Sequence, residues 1–216
     1  LFFVDALTRI AGRPMWQPEW VTVDDLMSEI SGLHAGDRVR LITELYKVYS
    51  EFHTEPFDKF YFWGDMLLTD FDTIDKYRID AQMLFRNISE IKEIEADISY
   101  LTPAQLQILS FWSSLGEEER RFLAIWKTLG PVYRKFRRRL VSLGIAYNGM
   151  VQRAAADRIA EGAFAFPEPR RYVVAGFNAL SECEKQLFKF LAVAAETDFY
   201  WDYDAYYKDN PEQEAG

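Results

Sequence analysis

From Leu41 to Ala154 the apolar residues of this chain recur at intervals of three and four, and that spacing restricts the fold more than any other feature. Leu41, Ile42, Leu45, Val48, Tyr49 and Phe52 follow Asp37 in this way, as one face of a helix requires. Phe60, Tyr61, Leu67, Leu68 and Phe71 continue it around Gly64. After a turn-like DFDT, Ile74, Tyr77, Ala81, Leu84, Phe85 and Ile88 resume it. Thr102, Pro103 and Gln105 form a helix start, and Ser114 with Glu117 repeats the capping device ahead of Ile125, Trp126 and Leu129. Gly130 and Pro131 predict a break before a helix that carries Tyr133, Phe136, Leu140 and Leu143 inward and stops at Gly144. A further helix presents Tyr147, Met150, Val151 and Ala154 and ends near Gly162.

Beyond that point the pattern changes. Two prolines in AFAFPEP mark a loop, and RRYVVAGF is a β-branched run that predicts a buried strand over 171–176, closed by Gly176. Ser181 with Glu184 forms a capping box opening a helix through Leu187, Leu191 and Ala194, and DFYWD predicts a strand over 198–202. Near the start, EWVTVDDLMSEI offers another strand at 20–23, with Asp24 close to a helix N-terminus. The expected fold is mainly α with a small parallel sheet. It divides into an α/β portion (1–36), a helical insertion (37–162) and a return to the α/β portion (163–216).

A chain of 216 residues with 49% hydrophobic residues can bury a sizeable core. The net charge of −9 argues against a generic nucleic-acid coat protein, although it leaves room for a local basic surface. One cysteine, Cys183, rules out a disulfide framework and a cysteine-based zinc site. With no membrane-length apolar run and nothing like a signal peptide, the expectation is a cytoplasmic protein without membrane partners. The apolar LFFVDAL at Leu1, without Met, and the ending NPEQEAG suggest a piece excised from a longer polypeptide.

The run from Phe60 also holds Asp65, Asp70, Asp72, Asp75 and Asp80. An EF-hand reading fails for want of its Gly and terminal Glu. LLTDFDTI looks like the start of a haloacid-dehalogenase-like phosphatase, which would need DFDT at the end of a strand. The alternative is structural: Asp58, Asp65 and Asp72, seven apart, form a solvated stripe, and Asp72 with Asp75 restarts a helix. Asp70, on the line Trp63, Leu67, Ile74, is expected to be partly buried and to bond a backbone group or an arginine. Trp16 and Trp20 are read as core residues, and His34 and His53 as isolated rather than metal ligands.

WGDMLLTDFDTIDKYRIDAQMLF, from Trp63, resembles a segment of the AddB-like helicase–exonucleases of the PD-(D/E)XK nuclease superfamily, Bacteroidetes type, where it opens the helical insertion of the first helicase domain. TVDDL from Thr22 and AYNGMVQR from Ala146 are similar to other parts of that group. VVAGFNALSECEKQLFKFL from Val173 resembles the strand and helix of its second helicase motif in degenerate form. The resemblance implies part of a RecA-like domain with its insertion, working in DNA-end processing and recombinational repair. Its partners would be DNA, the remainder of the parent chain and an AddA-like subunit.

Departures from the family pattern imply a non-catalytic piece. There is no phosphate loop, and Ala175, followed by Gly176 and Phe177, stands where the magnesium-linked acid would be. The nuclease acids and lysine expected near the family's C-terminus do not occur. No catalytic, metal or cofactor residue is expected here; ATP with magnesium, and any iron–sulfur cluster or nuclease metal, would belong to the parent.

Two readings from other classes stay open: a stand-alone helical protein-interaction module and the phosphatase. The candidate DNA-backbone residues are Arg134, Lys135, Arg137, Arg138 and Arg139, with Arg153 and Arg158 extending the patch. The competing reading of that patch is a solvated face paired with acids. Asp70, Asp75, Ser181 and Glu184 are the expected structural polar residues.

Overall fold

The structure, a computed structural model, describes residues 2–14, 16–94, 118–177 and 179–201. The expected helix starts at Thr102 and Ser114 lie outside them. Among the described residues the chain forms helices α1 (Phe2–Ala11), α2 (Val23–Ser31), α3 (Arg38–Tyr49), α4 (Phe57–Lys76), α5 (Ala81–Ile94), α6 (Glu118–Ser142) and α7 (Asn148–Ala160). They are followed by strand β1 (Arg171–Phe177), helix α8 (Glu182–Ala194) and strand β2 (Glu196–Trp201). The protein is mainly helical with a small parallel sheet.

α4 packs on α3 and α7; α2 and α8 also pack on α7, and α5 lies against α6. One hydrophobic cluster runs through all of them, from Met27 and Ile30 through Ile42, Leu45, Phe60, Phe71 and Phe136 to Leu187 and Leu191. Arg38 ties the polar sides of α3 and α4 together, donating to Asp65 at 2.5 Å and to Thr69 at 2.9 Å.

The structure corrects three local expectations. No strand forms at 20–23. Thr22 instead caps α2, accepting from the Asp25 amide at 3.1 Å and donating its hydroxyl to the Asp25 carboxylate at 2.6 Å, while Trp20 and Val21 are exposed. DFDT is not a turn. α4 runs through it because Phe71 and Ile74 are buried, Asp72 pairs with Lys76 one turn on, and the Thr69 and Thr73 hydroxyls return to carbonyls of the preceding turn. α6 also continues through Pro131. The buried row Leu129, Val132, Tyr133, Phe136 and Leu140 outweighs the roughly 3 kcal/mol that an interior proline costs. Leu143, at its end, is exposed rather than inward.

Gly144 and Gly162 end their helices as expected, and Ser181 with Glu184 forms the expected capping box at α8. β1 and β2 pair in parallel from Arg171↔Glu196 to Phe177↔Trp201, with α8 as the crossover. Gly176 does not close β1. At φ +85°, a conformation open to glycine, it makes a bulge between Ala175 and Phe177. β1 is also not buried on both faces: Tyr172 and Val174 turn inward, whereas Val173 and Ala175 are exposed.

Candidate functional site: the cations of α6 and α7

Asp75 sits at 0% exposure near the end of α4 and gathers donors from two other helices. From α6 come the Tyr133 hydroxyl at 2.5 Å and Arg137 Nη1 at 2.9 Å; from Tyr147, which precedes the first residue of α7, comes a hydroxyl, and from α7 itself Arg153 Nη1 at 3.1 Å. The Cys183 thiol of α8 donates to the Asp75 carbonyl at 3.4 Å. Burial together with the Asp75 charge raises the Tyr133 hydroxyl to about 12 and the Tyr147 hydroxyl well above its ordinary value. Both therefore stay protonated donors at neutral pH. Burial by itself would lower the Arg137 pKa, but Asp75 overrides it and the guanidinium remains charged. Burial pushes the Cys183 thiol up to about 12, so it is no nucleophile.

Asp75 is a structural polar residue, as expected, but by long-range bonding and not as a helix restart. Asp70 departs from expectation. It is exposed and makes no hydrogen bond among the described residues, although the surrounding side chains restrict its hydration enough to raise its pKa. The supposed stripe is also more than solvated surface. Asp58 is exposed, Asp65 holds Arg38, and Asp72 accepts from the Gly149 amide at 2.5 Å, which fastens the start of α7 to α4. Asp80 caps α5 through the Met83 amide at 2.9 Å. With DFDT inside a helix, the phosphatase geometry is absent.

The cationic residues fall into three groups. Lys135 pairs with Glu51, and Arg139 with Glu44 at 2.5 Å. Although burial raises the Glu44 carboxyl pKa, Lys47 and Arg139 hold it below the usual range. Arg158 reaches the carbonyls of Ser31 and Ala163 at 3.4 Å, joining α7 to the end of α2. Arg137 and Arg153 belong to the Asp75 node. Arg134 and Arg138 are exposed, one turn apart on α6, and make no ion pair among the described residues.

No protein family, curated protein or solved structure matches the chain.

Other candidates resolve simply. Ala175 lies on the exposed face of β1, with Gly176 and Phe177 forming its bulged end. Trp16 and Trp20 are exposed rather than core. His53 Nε2 is 2.7 Å from the Thr128 hydroxyl and its ring stacks on Tyr49, while His34 lends its carbonyl to the Ala146 amide. Among the described residues no three His, Cys, Asp or Glu side chains gather as a metal site, and no helix is long and apolar enough to cross a membrane. Sequence reading missed the Asp75 node. Its only local sign was an aspartate at a helical position otherwise occupied by core residues.

Proposed function

We propose that this chain is a non-catalytic piece of an AddB-like helicase–exonuclease, comprising part of a RecA-like domain with its helical insertion, and that it contributes scaffold and DNA-backbone contacts to DNA-end processing. The parallel β1–α8–β2 unit following a long helical stretch supports the reading, because the resemblance places elements of those types in that order. The observation that carries DNA contact is the exposed pair Arg134 and Arg138, which make no ion pair among the described residues of a chain of net charge −9. ATP, magnesium and any nuclease metal act in the parent, and an AddA-like subunit is its expected partner.

The rival reading, a protein-interaction module, draws on Phe62, which lies 80% exposed on α4.

Fluorescence anisotropy with a labelled duplex, across a salt series, tests the DNA reading. Arg134→Glu/Arg138→Glu should weaken binding and flatten the log–log salt slope by about one unit per lost phosphate contact. Arg9→Glu, whose parent residue pairs with Asp5 on α1, should follow the wild-type line. A double variant that follows that line as well would remove DNA contact from this surface.

A further inference from the structure

Arg137 from α6 and Arg153 from α7 meet over a single carboxylate oxygen. Both use Nη1 to bond Asp75 Oδ1, at 2.9 and 3.1 Å, so two helices hold two cations within a few ångströms of one another. The carboxylate is fully buried, whereas the two arginine side chains are 26% and 21% exposed. The pair therefore lies between the interior and solvent.

The donors are incompletely used. A guanidinium carries five N–H groups. Arg137 Nη1 serves Asp75 and the Tyr133 hydroxyl, and Arg153 Nη1 serves Asp75 and the Ile79 carbonyl. Nε and Nη2 of both residues meet no acceptor among the described residues. Charge is also unbalanced. One carboxylate neutralises one of the two cations, and the neighbouring Arg78 is already paired with Asp157 at 2.8 Å. An ion pair kept only for packing needs no second guanidinium at the surface.

From this geometry we infer that Arg137 and Arg153 form an oxyanion site for a single phosphate group, with Asp75 as the buried brace that fixes their spacing. Guanidinium forks suit tetrahedral oxyanions, and a fork held in place before binding loses little freedom on binding. The Tyr133 and Tyr147 hydroxyls hold the brace in turn, so Asp75 is not free to swing toward the ligand. The site stands independently of the DNA reading. A backbone phosphodiester, a terminal phosphate and free phosphate all present the required oxygens.

Inorganic phosphate, titrated at constant ionic strength and followed by NMR of the arginine Nε–H groups, tests it. Saturable shifts at Arg137 and Arg153, with Arg134 and Arg138 unmoved, support the site. A non-saturating drift shared by all arginines overturns it. Arg153→Lys keeps the charge and loses the fork, and should weaken phosphate binding about tenfold, the worth of one charge-assisted bond; unchanged affinity would overturn the assignment. Should that variant fail to fold, the wild-type titration decides alone.

An unlabelled duplex is then added to the phosphate-saturated protein. Movement of the Arg137 and Arg153 signals to a new bound position as the phosphate is displaced assigns the site to backbone phosphodiesters. Persistent shifts leave a site for free or terminal phosphate, and the DNA reading then rests on Arg134 and Arg138 alone.

Discussion

The inner face and the outer flank of α4 each carry an aspartate, five residues apart, with opposite fates. Asp75 is fully buried and bonded by Tyr133, Arg137, Tyr147 and Arg153; Asp70 is exposed and bonded by nothing among the described residues. Both belong to the same aspartate-rich run on the same helix. What separates them is the set of side chains that α6 and α7 bring to one face and not to the other. Helix position determines which way a carboxylate points, and the neighbouring helices determine whether it is structural.

Asp75→Asn should show the largest effect on this contrast. It leaves Arg137 and Arg153 partly buried without a counter-charge, at a cost of about 3–5 kcal/mol in urea melts. Gly149→Ala comes next and probes the same face without touching a charge. A Cβ there would overlap the Asp72 carbonyl oxygen, a backbone atom, so α7 must shift away from α4 for about 1–3 kcal/mol.

Asp70→Asn should be the smallest, within about 0.5 kcal/mol. Its sign is testable by pH. The folded-state pKa is raised, so near neutrality the charged form is disfavoured by folding and Asn is the more stable residue. That advantage disappears as pH falls through the raised value and Asp70 protonates. A loss at Asp70 matching that at Asp75 would break the contrast between the two faces.

Features set by residues a few positions apart were legible from sequence. The Ser181–Glu184 box, the stops at Gly144 and Gly162 and the buried positions Leu41, Ile42, Leu45, Val48 and Tyr49 all depend on local spacing. Local spacing misleads where packing overrules it, at Pro131 and at DFDT, and where two local devices use the same residue types. Thr22 with Asp25 is a capping box three residues wide, and it was hidden by the β-branched Val21 and Val23 beside it. The Asp75 node was out of reach because its partners lie 58, 62, 72 and 78 residues downstream. No periodicity specifies which tyrosines and arginines return to one carboxylate across such distances.

The bulged pair β1–β2 has a further consequence for how copies of this chain behave together. Among the described residues each strand pairs only with the other, leaving the outer backbone edges unpaired, while Val173 and Tyr200 stand 66% and 63% exposed on the uncovered face. Parallel strands are normally sheltered on both faces, and an open edge is a template for another strand. Self-association of concentrated solutions through this sheet is the expected outcome. The net charge of −9 opposes that association by mutual repulsion, and added salt, by screening it, should favour assembly.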